Sequence, residues 1–231
     1  MTRTLLILSI LQTLSGFISA QNLAIGQWRV HLPFIKSKAV AITGDRIYCA
    51  ADRGLFYFQQ SDNSVVPLSK ISGLSELDAS TLKYDSETGI LVVAYSNANI
   101  DLISQNKIIN ISDIKRKNMT GDKTIYGIAF RDKLAYLSCG FGIVVIDLVK
   151  FEIKDTYIIG PGGTEIKVFD IDFLGSNIFA ATADGVFVAD INNANLSNFA
   201  NWNLSLPDNG NAGDYNILEQ FSGKLFVNYA K

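Results

Sequence analysis

A single histidine, His31, and two cysteines, Cys49 and Cys139, are the whole stock of imidazole and thiol in this chain of 231 residues. A catalytic histidine needs a nucleophile or carboxylate beside it. His31 sits in QWRVHLP (27–33) with neither, so it reads as structural. Metal centres built from His and Cys lack ligands here. The carboxylates with the most informative spacing are Asp170 and Asp172, which alternate with Phe169, Ile171 and Phe173 and so share one face of a strand. Two roles fit that placement: oxygen ligands for a cation in a central channel, or acceptors for neighbouring main-chain amides. The second is preferred. No pair of carboxylates stands out as a glycosidase couple. GPGG (160–163) lacks the strand-to-helix setting of a phosphate loop and reads as a turn.

Four cations, Lys115, Arg116, Lys117 and Lys123, cluster within a few residues. With Arg53 they form the candidate contact set for an acidic partner or an anionic glycan; the plainer reading is a solvated loop. The whole chain carries 20 Lys and Arg against 22 Asp and Glu, a formal charge of -2. That balance excludes general nucleic-acid binding, which calls for a basic domain. With 48% hydrophobic and 18% charged residues, the chain is not of the disordered class. Trp28, Trp202, Phe141 and Tyr95 are of a type that stacks on sugars, but burial between sheets suits them better. Asn110, Asn118, Asn195 and Asn203 head N-x-S/T triplets that read as chance matches. No cofactor is implied.

The elements that position these residues begin after residue 20. Residues 1–20 combine Arg3, an apolar run from Leu5 to Leu14, and Ile18-Ser19-Ala20 before Gln21. This is the pattern of a secretory signal peptide, too short and wrongly flanked for a spanning helix. No later stretch is long and apolar enough to cross a bilayer. The mature protein is therefore expected to be exported and held at a membrane, if at all, by other proteins.

Four segments repeat one another: IYCAADRGLFYF (47–58), LVVAYSNANIDLI (91–103), AYLSCGFGIVVID (135–147) and IFAATADGVFVAD (178–190). Each is a strand, a small polar turn and a second strand. Their turn positions, Gly54, Ala98, Gly142 and Gly185, stand 44, 44 and 43 residues apart. An alternating strand precedes each pair, and another follows at 65–69, 108–112, 156–160 and 202–206. Four antiparallel strands recurring at about 44 residues predict an all-β fold, a β-propeller of four-stranded blades. A single blade cannot bury both of its faces, so neighbours must cover it. The blades are expected at 38–79, 80–124, 125–166 and 167–213, with a partial fifth at 214–231 and a leading outer strand at 27–33, where Trp28 and Pro33 match Trp202 and Pro207. Four blades and part of a fifth make an incomplete ring, so the chain is expected to be a piece of a longer protein. The repeat also sets Cys49 and Cys139 on equivalent strands two units apart, beyond the roughly 7 Å that a disulfide spans. Two free, buried thiols are expected.

The run GQWRVHLPF, then RIYCAADRGLFYF, GLS at 73–75 and LVVAYSNANIDLI resembles the N-terminal propeller of PorZ-like proteins, surface components of the type IX secretion system of Bacteroidota. The resemblance covers residues 26–231. It implies a longer protein with two propellers and a C-terminal β-sandwich, partnered with a surface sortase-like peptidase in an attachment complex and linked to delivery of anionic lipopolysaccharide. It also implies a non-catalytic scaffold at the cell surface, the outer membrane or in the periplasm. Two alternatives remain: a periplasmic sensor propeller of a hybrid two-component system, and a propeller enzyme acting on polysaccharide. Partner contacts are expected on the face that carries the turns between second and third strands, with Asp52, Asn97, Asn99 and Asp184, and the connections 70–79, 112–124, 160–166 and 207–214.

Overall fold

The computed structural model describes residues 34–104, 107–206 and 213–230. The expected leader, the leading strand at 27–33, Trp28 and His31 lie outside the described residues.

The described chain is a succession of antiparallel meanders. The first sheet holds β1 (Ile35–Thr43), β2 (Arg46–Asp52), β3 (Gly54–Gln59) and β4 (Ser64–Leu68). The second holds β5 (Ala79–Asp85), β6 (Ile90–Tyr95), β7 (Ile100–Ile103) and β8 (Ile108–Ile111). Next come β9 (Ile125–Arg131), β10 (Leu134–Cys139), β11 (Gly142–Asp147) and β12 (Glu152–Tyr157). The fourth sheet holds β13 (Val168–Leu174), β14 (Asn177–Thr182), β15 (Val186–Asp190) and β16 (Asn203–Ser205), and a two-stranded fifth holds β17 (Asp214–Phe221) and β18 (Lys224–Ala230). First strands of successive sheets pack side by side, β1 on β5, β5 on β9, β9 on β13 and β13 on β17, which makes them the inner strands of an open, incomplete propeller.

Burial explains the sequence pattern. Every residue of β6 is buried, because the sheet is covered on both faces. Such strands read as continuous apolar runs rather than alternating ones. Four apolar cores lie between the five sheets. Leu55 meets Leu91 and Val93 in the first, Val92 meets Leu137 and Val144 in the second. Tyr157 meets Trp202 in the third, and Val186 meets Tyr215 and Leu218 in the fourth. The inner strands β1, β5, β9, β13 and β17 each carry a register irregularity near their first residues, a bulge at an equivalent place in every blade. Among the equivalent turn positions Gly142 and Gly185 hold φ of 143° and 148°, and Ala98 stands in the left-handed region at 62°. In the first blade Arg53 takes the left-handed place, at φ 61°.

One strand differs from the expected position. The fourth strand of the third sheet is Glu152–Tyr157, earlier than the 156–160 read from the sequence. The preceding turn takes only four residues. Asp147 Oδ1 accepts the amides of Val149 and Lys150 at 2.9 Å each, and Phe151 adopts φ 60°. That tight turn pulls the strand forward, so that Tyr157 rather than a later residue pairs with Ile143.

Candidate functional site

A meander alternates its turns between two ends. One end, here the upper face, carries the β2–β3, β6–β7, β10–β11 and β14–β15 turns and all connections between sheets. The connection 69–78 is the most built of these. Ser69 caps a 3-10 turn over Lys70–Ser72: its Oγ accepts Ile71 N at 3.2 Å, and its own N–H donates to Ser72 Oγ at 3.3 Å. Gly73 leaves the turn at φ 98°, where a glycine is needed. At its tip Ile71 is 84% exposed.

A buried carboxylate holds this connection from beneath. Asp101, fully buried on β7, accepts Ser75 N at 2.8 Å, Ser75 Oγ at 2.7 Å, Tyr95 OH at 2.7 Å and Asn110 Nδ2 at 3.0 Å. Four donors satisfy a charge that would otherwise be costly to bury. Burial, and then the bond to Asp101, push the Tyr95 phenol well above its usual range. The amide of Asn110 also reaches Asn99 Oδ1 at 2.9 Å, which engages the side chain at one N-x-S/T triplet.

Charges rim the same connection. Glu76 pairs with Lys115 and, at 3.3 Å, with Lys70; the Lys115 ammonium holds its carboxyl down at about 2. Asp78 accepts Lys38 Nζ at 2.7 Å and Ser96 Oγ at 2.7 Å, and Lys38 also pairs with Asp52 at 3.3 Å. Its hydrogen bond to Lys38 holds Asp78 below the usual carboxylate range.

The structure brings Lys115, Arg116, Lys117 and Lys123 together around one helical turn, Asp113–Arg116. Two of the four are ion-paired. Besides Lys115 on Glu76, Arg116 pairs with Asp113 at 3.7 Å, and the Lys123 ammonium donates to the carbonyls of Lys115 and Lys117. Arg53 lies one blade back, in the β2–β3 turn, where its charge helps to lower Asp78. The acidic side chains of 76 and 78 therefore stand among the five cations. Sequence reasoning missed Ile71; the only signal was the length of its connection and the Gly-Leu-Ser within it.

Other candidates fall into structural roles. Asp170 Oδ2 accepts Leu218 N at 2.9 Å and its Oδ1 accepts Ile171 N at 2.9 Å; Asp172 bonds Phe173 N and Gln220 N in the same way. They are amide acceptors between inner strands, the preferred of the two roles. GPGG forms a turn closed by a bridge between Gly160 and Thr164. Phe141, Tyr95 and Trp202 are buried, with no ring face for a sugar. Asp184 sits in the β14–β15 turn, its amide bonded to Thr182 Oγ1 at 3.2 Å. Cys49 and Cys139 are both free; Cys139 is buried as expected, whereas Cys49 is only half-buried, because its side of the first sheet faces away from the second.

The family model described as the type IX secretion system PorZ N-terminal β-propeller domain matches residues 47–203. Among solved structures, PorZ, described as an essential bacterial surface component of the type-IX secretion system of Porphyromonas gingivalis, superposes with a TM-score of 0.72 at 24% identity, over 88% of this chain and 28% of that one. The extracellular domain of BT4673 from B. thetaiotaomicron, assigned to a hybrid two component system, gives 0.66 at 12% identity over 88% of this chain and 27% of that one. Apo AztD from Citrobacter koseri gives 0.54 at 18% identity over 78% and 48%. The chain thus spans little more than a quarter of the first two structures. A search of curated proteins returned no match.

Proposed function

Because this chain belongs to the family of the type IX secretion PorZ N-terminal β-propeller domain, we propose that it acts as a non-catalytic docking module in a cell-surface attachment complex. Residues 21–231 form its propeller domain, exported by the leader at 1–20. The partner of choice is the surface sortase-like peptidase of that complex, and the link to anionic lipopolysaccharide runs through the assembly rather than through a reaction on this chain. One observation carries the reading: Ile71 is 84% exposed at the tip of a connection that a buried carboxylate and a capped turn hold rigid. A large aliphatic side chain on a preorganised support, rimmed by charge, is how a binding anchor is presented.

The test is Ile71→Asp in the native organism. Co-purification of the sortase-like peptidase and attachment of secreted cargo to lipopolysaccharide should both fall, while the protein's melting temperature stays unchanged. Full retention of both by a folded variant removes this connection from the interface.

A further inference from the structure

The lower face carries a feature that the docking role does not use. The outer turns of the first three blades, between third and fourth strands, take four residues each: 60–63, 104–107 and 148–151. In the fourth blade the same connection takes twelve, 191–202. Long connections on a rigid scaffold are where binding concentrates. This one is fixed by its own side chains. Trp202 Nε1 donates to Leu196 O at 2.9 Å, Asn201 Nδ2 to Asn195 O at 2.7 Å, and Asn193 Oδ1 accepts Asn195 N at 2.9 Å.

Between this insertion and the third blade lies a groove of about 590 Å³, within the usual size of a small-ligand site. Tyr136 and Tyr157, 4% and 6% exposed, both line it, with Leu196 at 5% beside them. Neither hydroxyl has a hydrogen-bond partner among the described residues. Yet among those residues no sealed side-chain nitrogen or oxygen lacks a partner. The two hydroxyls must therefore open into the groove, where water or a ligand completes them. Burial raises the pKa of both phenols, so both keep their protons across the physiological range.

The walls decide the ligand's charge. Lys133, Lys150 and Lys154 are matched by Asp132, Asp147 and Asp155, so the lining carries no net charge. Phenols and side-chain amides both donate and accept. A compact ligand that is uncharged, and itself donor and acceptor at many points, complements such a lining. Leu134, Val149, Ile191 and Leu196 supply the apolar part of the lining.

We propose that the groove between the third and fourth blades is a binding site for a short neutral oligosaccharide, with the Tyr136 and Tyr157 hydroxyls as its fixed hydrogen-bonding points and the 191–202 insertion as its outer wall. This stands independently of the docking role, which uses the opposite face.

The test is saturation-transfer NMR and calorimetry on the whole protein. Probes are neutral trisaccharides of glucose, mannose, galactose and N-acetylglucosamine, with trigalacturonate and a Gly-Ser hexapeptide as the other arms. Tyr136→Phe and Tyr157→Phe remove one oxygen each and leave the rings packed on Phe173 and Trp202. At least one neutral trisaccharide should bind in the millimolar range, weaken about tenfold in the double variant, and hold its affinity between about 50 and 500 mM salt. No binding by any neutral trisaccharide, binding that the folded double variant retains, or preference for trigalacturonate or the peptide overturns the proposal.

Discussion

The Asp170 carboxylate accepts the main-chain N–H of Leu218 at 2.9 Å, tying the inner strand of the fourth blade to that of the fifth. Its second oxygen accepts Ile171 N at 2.9 Å, so both oxygens are committed as acceptors. Asparagine has only one acceptor oxygen and would turn an NH₂ against an N–H. Asp170→Asn is therefore expected to lower stability by about 1–3 kcal/mol, read from urea unfolding. Amide exchange at Leu218 should quicken selectively. Unchanged exchange there would show that the carboxylate does not hold the fifth blade.

A separate prediction concerns Asp101. Ser75 N, Ser75 Oγ, Tyr95 OH and Asn110 Nδ2 all donate to its buried carboxylate, and the first three have no other acceptor among the described residues. Asp101→Ala leaves the Ser75 and Tyr95 donors without an acceptor, while Asn110 keeps Asn99 Oδ1 and Ile100 O, and is expected to cost about 3 kcal/mol. Ile71→Asp changes a side chain in solvent and should stay within about 0.5 kcal/mol of the parent. Chemical denaturation of the two variants side by side checks the contrast. Equal losses would mean that the connection 69–78 is packed rather than displayed.

Glycine at 142 can be tested in the same way. It holds φ 143°, and a Cβ there would overlap the Tyr157 carbonyl oxygen. The obstacle is main chain of the neighbouring strand and cannot swing aside. Gly142→Ala should cost about 2 kcal/mol or more. Gly44, at φ 58° with open space around it, provides the comparison; Gly44→Ala should cost about 1 kcal/mol. A mild effect at 142 would show that β11 and β12 can part without penalty.

How much of this was legible in the sequence depends on how local the cause is. Gly54, Ala98, Gly142 and Gly185 mark the blades because a hairpin between two buried strands must turn at the same place in each repeat. Asp170 and Asp172 were readable as amide acceptors because alternation puts both on one face of a strand. The fourth strand of the third blade was misplaced because a turn made by Asp147 and Phe151 leaves little trace in hydrophobicity. Neutralisation of Lys115 by Glu76 joins residues 39 positions apart through folding, so the cluster looked freer than it is. Ile71 looked like any aliphatic residue, since exposure is a property of the folded loop. Tyr136 and Tyr157 drew no reading of their own, since they lie within apolar strands; only the folded groove shows that their hydroxyls are open.

Glu76 sets the last prediction, a pH dependence. Pairing with Lys115 lowers its folded pKa from 4.5 to about 2. A depressed carboxyl adds stability that is fully present above its unfolded pKa and is lost as pH falls through the folded value. The window therefore runs from about pH 4.5 down to about 2. Asp78, also lowered, reinforces the loss. Asp170 acts in the opposite sense: burial raises its pKa, so protonation there favours the folded state as pH falls. Solvent screens the Glu76 pair, and its share is about 0.5–1 kcal/mol. Glu76→Gln should remove that share at neutral pH and flatten the acid limb between pH 4.5 and 2, while a Lys115→Met variant should do the same from the other side of the pair. Melting curves across the range check this; parallel acid limbs for the parent and both variants would show that the pair does not couple the second blade's connections.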